Sequence, residues 1–122
     1  MTTLEHDPAF AARARKNLGR AGLADQAKVV CGNAFAELSR MQGGFDLIFM
    51  DIDKADYSRA LPECHRLLRP QGLLVADNVA FPDAAPFNRA VFSDGGWRPV
   101  SLLAFMPGHS PEKDGLCLAL RC

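Results

Sequence analysis

Two carboxylates and an amide stand at the ends of apolar runs in this chain: Asp51 after Leu47-Ile48-Phe49-Met50, and Asp77-Asn78 after Leu73-Leu74-Val75-Ala76. Asp51, Asp77 and Asn78 offer only oxygen donors, a set that suits a hard divalent ion such as Mg²⁺ and disfavours zinc, whose usual ligands are His and Cys. An ion held by three protein oxygens keeps positions open for water or substrate. There it could bind a substrate hydroxyl, lower its pKa and orient the oxyanion for attack. Lys54, three residues past Asp51, could take the proton if a nearby cation depresses its own pKa. The plainer reading of each residue alone is a capping aspartate or a solvated lysine. Their convergence on one predicted crevice is what favours a site.

Two more polar residues end strand-like segments. Glu5 could accept hydrogen bonds from both hydroxyls of a ribose, the part an acid plays in nucleotide-binding folds. Asn33 could read an adenine edge through its amide, or simply cap a turn or helix. His6, His65 and His109 share no spacing that would make a metal or nucleophile cluster, and the serines lack a G-x-S-x-G setting.

The elements that must position these residues follow from periodicity and punctuation. The runs ending at Met50 and Ala76 are continuous rather than alternating, as expected of parallel strands covered on both faces. Thr2 to Glu5 and Lys28 to Cys31 read as two further strands. Asp7-Pro8 predicts a helix start, with Phe10, Ala14 and Leu18 as its apolar stripe and Gly22 as its stop. Ala34 to Met41 reads as a short helix, and a longer one carries Leu61, Cys64, Leu67 and Leu68 with Pro62 expected in its first turn. Arg69-Pro70-Gln71-Gly72 is read as a turn, and Phe87, Ala90 and Val91 lie on a last helix. Arg98 to Ala104 and Gly115 to Leu120 are joined too closely for a crossover helix and so form an antiparallel pair. Trp97 and the phenylalanines are expected to pack against the sheet.

Alternation of this kind implies a layered α/β fold with a mostly parallel sheet. Its right-handed crossovers would bring Glu5, Asn33, Asp51 and Asp77 to one rim. At 122 residues and 48% hydrophobic, the chain has the material for one compact domain. Fourteen basic and fourteen acidic residues cancel, which removes the electrostatic footprint of a nucleic-acid or anionic-membrane binder and favours a small or neutral partner. Cys31, Cys64, Cys117 and Cys122 have no Cys-x-x-Cys spacing and read as free thiols in a reducing cytosol. No run approaches the roughly 18 apolar residues of a membrane helix.

Read in order, Thr3-Leu4-Glu5-His6-Asp7-Pro8, Gly32-Asn33-Ala34, Phe45 to Lys54 with its Asp-x-Asp-Lys ending, Leu67 to Val79 with Ala-Asp-Asn-Val, Phe87-Asn88-Arg89 and Asp114-Gly115-Leu116 resemble the S-adenosylmethionine-dependent O-methyltransferases of the catechol and caffeoyl-CoA type. The resemblance implies a Rossmann-like class I methyltransferase sheet with an antiparallel carboxyl-terminal pair. It also implies a divalent cation on Asp51, Asp77 and Asn78, Lys54 as general base, Glu5 on the ribose of the methyl donor, and Asn33 and Ala34 at its adenine. The family more often has Asp in place of Asn33 and Gly in place of Gln71, and its linker over 79–87 is longer.

These enzymes also carry helices and a glycine-rich first strand ahead of the segment matching Met1 to Glu5. The expectation is therefore a carboxyl-terminal part of a metal-dependent O-methyltransferase, shortened by a misplaced start codon or in fact, whose exposed strand edges pair as a homodimer and whose acceptor is a small hydroxyl compound. Two other readings stand beside it. One is a non-catalytic remnant that acts as a dimeric interaction module. The other is a response-regulator receiver domain, with Asp51 as phosphoacceptor and Glu5 and Asp7 as acidic partners.

Overall fold

The computed structural model describes residues 1–108 and 112–122, so His109 lies outside the described residues. The chain forms two compact units, Met1–Met41 and Gln42–Cys122.

In the first unit, β1 (Thr2–Glu5) and β2 (Lys28–Cys31) make a parallel pair in the register Glu5↔Cys31. Helix α1 (Pro8–Arg20) connects them. It starts where the sequence says it should: Asp7 Oδ1 accepts from Ala9 N at 2.7 Å and Phe10 N at 3.2 Å, and Pro8 takes the first turn, where a missing N–H costs nothing. It stops at Gly22, whose φ of 71° a glycine adopts without strain, as Leu23 N returns to Leu18 O at 2.9 Å. The expected stripe is weaker than predicted, since Ala11 is the helix's buried residue and Phe10 is half exposed beneath the Arg13 guanidinium. A two-stranded sheet offers too little surface to cover it. Helix α2 (Ala34–Leu38) is shorter than the expected Ala34 to Met41.

The second unit is built on a four-stranded sheet of order β3-β4-β6-β5, made from β3 (Phe45–Met50), β4 (Leu68–Ala76), β5 (Trp97–Phe105) and β6 (Lys113–Arg121). β3 and β4 are parallel, while β6 runs antiparallel to both β4 and β5. Helix α3 (Tyr57–Leu67) joins β3 to β4 and buries Tyr57, Ala60, Leu61, Cys64 and Leu67, a spacing of three and four residues that forms one helical face. Helix α4 (Ala85–Ser93) adds Phe87 and Val91, and the Phe87 ring meets Tyr57 edge to face at 5.5 Å. No helix among the described residues is long and apolar enough to cross a membrane.

Four local expectations are corrected here. Pro62 lies inside α3 rather than in its first turn, because the helix begins at Tyr57, directly after a 3₁₀ turn over Lys54–Asp56. Arg69 to Gly72 does not interrupt the chain as a separate turn but forms an irregular stretch within β4, where the register with β3 shifts between Phe45 and Leu47. Gln71 sits there at a φ of 62°, which explains why glycine suits that position better. β3 is not covered on both faces, since Leu47 and Phe49 are 53% and 57% exposed on an edge strand. Trp97 is buried as expected, but Phe92 and Phe105 are exposed along with Phe10 and Phe49.

The four cysteines are free. Burial, with the neighbouring Glu63, pushes the Cys64 thiol up to about 12, and burial pushes Cys117 up to about 11 against the pull of the Ser101 hydroxyl. Cys31 and Cys122 are exposed. A thiol-disulfide dye at neutral pH is therefore expected to titrate Cys31 and Cys122 quickly and Cys64 and Cys117 only after denaturation. Rapid labelling of either buried thiol in the folded protein would contradict this packing.

Candidate functional site

Strand register brings the two predicted carboxylates together. Met50 is the partner of Ala76, so Asp51 and Asp77 leave neighbouring parallel strands at the same level, where strands are about 4.8 Å apart. Asp77 N donates to Met50 O at 3.1 Å, extending the ladder one step past the strand ends.

Tyr57 fixes that junction from below. Its side chain is fully buried at the start of α3, and its hydroxyl lies 3.0 Å from Met50 O and 3.0 Å from Asp77 O. One phenolic proton is thus shared between the carbonyls of the two strands that carry the carboxylates. Burial raises the Tyr57 pKa, with Lys54 opposing and Asp51 and Asp77 reinforcing the shift. The hydroxyl therefore stays a donor.

Lys54 reaches back across the 3₁₀ turn. Its Nζ donates to Asp51 Oδ1 at 2.6 Å and to Ile52 O at 3.2 Å, and lies 5.2 Å from the centre of the Tyr57 ring. The side chain of Lys54 is 16% exposed and that of Asp51 51%. Without a cation beside it, Lys54 is raised rather than depressed: burial lowers its pKa, but hydrogen bonds to Asp51 and Tyr57, together with their charges, outweigh that. Lys54 is an ammonium at neutral pH.

Asn78 has a φ of 52°, a left-handed conformation that Asn tolerates better than most residues. Its N–H donates to Asp77 Oδ1 at 2.8 Å, and its Nδ2 donates to Asp114 Oδ2 at 2.6 Å. A cavity of about 360 Å³ opens beside Asp77, Asn78 and Asp114, walled on its apolar side by Leu102, Leu103 and Met106.

The other predicted residues belong to the first unit. Glu5 Oε1 accepts from Asp7 N at 2.8 Å and lies 3.3 Å from His6 Nδ1. Asn33 is the N-cap of α2, its Oδ1 accepting from Ala36 N at 3.2 Å, with Ala34 the first helical residue. This is the capping role that competed with adenine recognition. The structure thus groups Asp51, Lys54, Asp77 and Asn78 in one unit, and Glu5, Asn33 and Ala34 in the other. Sequence reasoning missed Tyr57 and, although Asp114 was noted within Asp114-Gly115-Leu116, it missed the contact Asp114 makes with Asn78. A tyrosine three residues after Lys54 was a visible signal, whereas the Asp114 contact spans 36 residues and had none.

The model of a protein family described as O-methyltransferase matches residues 1–84. The chain belongs to the O-methyltransferase family. A catechol O-methyltransferase of Niastella koreensis is 45% identical over 83 residues, covering 65% of this chain and 38% of that protein. Cofactor-bound Rv0187 from MTB superposes with a TM-score of 0.86 at 33% identity, covering 98% of this chain and 60% of the other. The O-methyltransferase from Bacillus cereus in complex with SAH gives 0.86 at 25% identity, covering 99% and 62%. The chain thus spans under two fifths of the length of that catechol O-methyltransferase. This family membership sets the receiver-domain reading aside.

The Tyr57 tie can be tested by Tyr57→Phe, which keeps the ring against Phe87 and removes only the hydroxyl. Leaving the Asp77 carbonyl without this donor is expected to cost about 1–2 kcal/mol in denaturant unfolding. An unchanged unfolding midpoint would show that the phenol carries none of the junction.

Proposed function

We propose that this chain carries the acceptor and cation side of an O-methyltransferase that moves a methyl group from S-adenosylmethionine to the hydroxyl of a small catechol-like acceptor. The observation that carries this reading is the register of β3 and β4, which sets Asp51 beside Asp77-Asn78, two residues that themselves line an open cavity with Leu102, Leu103 and Met106. Support for the donor comes from the Bacillus cereus relative in complex with SAH, and for the acceptor class from the catechol O-methyltransferase similarity.

The donor set fits a hard divalent cation. Asp51, Asp77 and Asn78 supply oxygen only, and the hydrogen bonds described engage one oxygen of each carboxylate, Asp51 Oδ1 by Lys54 and Asp77 Oδ1 by Asn78 N. Among the described residues no three His, Cys, Asp or Glu side chains gather into a metal-binding group, so this reading relies on the Asn78 amide as the third oxygen donor. When bound, Mg²⁺ or a similar cation would lower the acceptor hydroxyl's pKa and orient its oxygen.

The chain's own residues do the remainder. Leu102, Leu103 and Met106, exposed on the wall of the open cavity, offer apolar surface to the acceptor's ring. Lys54, once neutral, accepts the hydroxyl proton on Nζ while the acceptor oxygen attacks the methyl carbon in line. A carbon–oxygen bond forms, the carbon–sulfur bond breaks, and the sulfonium becomes a neutral thioether. Positioning supplies most of the acceleration. Glu5 would hold the donor's ribose hydroxyls. Asn33 Oδ1 is engaged in its helix cap, so its Nδ2 is the group left to meet the adenine beside Ala34.

Because the ion pair with Asp51 raises the Lys54 pKa, a base role requires the rate to climb from neutral to alkaline pH as the neutral fraction grows. Lys54→Met is expected to lower turnover roughly 10²–10⁴-fold and flatten that climb, with donor affinity unchanged. Asp77→Ala should lower turnover and abolish Mg²⁺ dependence, and the heat of S-adenosylmethionine binding should vanish in Glu5→Ala. Turnover by Lys54→Met at the wild-type rate and pH profile would remove Lys54 from the chemistry. An absence of binding heat at millimolar donor would remove catalysis by this chain.

A further inference from the structure

Asp114 is the one buried charged residue among those described, 2% exposed at the start of β6. No lysine, arginine or histidine forms an ion pair with it among the described residues. Burying a carboxylate without a cationic partner costs several kcal/mol unless other groups compensate. Two hydrogen bonds do so in part: Asn78 Nδ2 to Oδ2 at 2.6 Å, and Gly115 N to Oδ1 at 2.7 Å.

The first of these bonds settles the orientation of Asn78. A primary amide has a donating end and an accepting end, and a carboxylate can only accept. Facing Asp114, Asn78 must present Nδ2, which turns Oδ1 to the opposite side. The backbone removes the remaining freedom. Asn78 is held in its left-handed conformation by Asn78 N to Asp77 Oδ1, Phe81 N to Asn78 O at 3.2 Å, and Val79 N to Gly115 O at 3.0 Å. The last contact ties the loop after β4 to the residue next to Asp114. Gly115 also lets the hairpin close here, because a Cβ at that position would run into the Leu102 carbonyl.

We infer that Asp114 is a positioning residue for the cation centre: it holds the Asn78 amide with its oxygen turned toward the ligand side, and it adds a buried negative charge one side chain behind that oxygen. The inference rests on the cation-binding reading above. It deepens that reading by assigning a role to a residue that is not itself one of the proposed cation ligands. Partners that orient a metal ligand from behind commonly contribute 10–100-fold in metal affinity.

A simple structural latch between hairpin and loop would use the same hydrogen bond, and cation affinity separates the two roles. Mn²⁺ binding is read by electron paramagnetic resonance on the full chain without donor or acceptor, and stability by thermal melting in chelator. Asp114→Asn removes the charge and allows the Asn78 amide to flip, and should weaken Mn²⁺ roughly 10–100-fold. The exchange variant Asn78→Asp/Asp114→Asn restores the hydrogen bond with reversed polarity, puts a carboxylate oxygen on the ligand side and keeps the net charge. It should return Mn²⁺ affinity to within a few-fold of the original. Should Asp114→Asn fail to fold, the exchange variant decides alone. Affinity within twofold of wild type in a folded Asp114→Asn, or no recovery in a folded exchange variant, overturns the positioning role and leaves the cation site standing. Absence of Mn²⁺ binding by the wild-type chain overturns the cation site and this role together.

Discussion

The alignment of β3 with β4 is the constraint on which the site depends. A parallel pair offset by one residue would carry Asp51 and Asp77 to different levels and reverse the face each presents. Three features hold the alignment: the ladder from Leu47↔Leu73 to Met50↔Ala76, the extra step from Asp77 N to Met50 O, and the Tyr57 hydroxyl on the carbonyls of both strands. The irregular stretch around Gln71 lies at the far end of β4. Deviation from a regular ladder is thus confined to the end of the pair away from the carboxylates.

Much of this was legible in the sequence, for reasons that differ by residue. The continuous apolar runs marked β3 and β4 as strands, and the two carboxylates sit where those runs stop. Asp7-Pro8 marked the start of α1 because a cap and a proline act locally. The capping role of Asn33 was also local and visible. Tyr57 drew no reading from the sequence, since its ring packs against Phe87 while its hydroxyl meets backbone from two strands that only the fold brings together. Asp114 could not be found by spacing at all, because its partner is 36 residues away and meets it only when β6 pairs with β4. The exposure of Leu47 and Phe49 was missed for a related reason: an apolar run identifies a strand but not what lies over each of its faces.

The polar part of the site works as two linked devices that share the same strand ends. Lys54, Asp51 and Tyr57 form one, drawn together by the 3₁₀ turn and the first turn of α3. Asp77, Asn78 and Asp114 form the other, closed by the hairpin of β5 and β6. Each device anchors one side chain at the strand ends through a second that is more deeply held: Asp51 through Lys54, and Asn78 through Asp114. Long-range contacts and short-range turns therefore contribute separately to how these polar groups are held at the strand ends.

The charge balance of the first device bears directly on how Lys54 can act. Asp51 cannot lend its full negative charge to Lys54 and to a second cation at once, so whatever draws on Asp51 weakens the attraction that keeps Lys54 protonated. The burial of Lys54 already pulls the other way. With the ion pair intact the ammonium is favoured; with Asp51 engaged elsewhere, desolvation is left less opposed and the neutral amine becomes accessible. The raised pKa is accordingly a property of the chain by itself and not an obstacle to a base role. On the proposed reading, Lys54 would serve as a base only when Asp51 is engaged elsewhere, and proton removal would then be coupled to an assembled site.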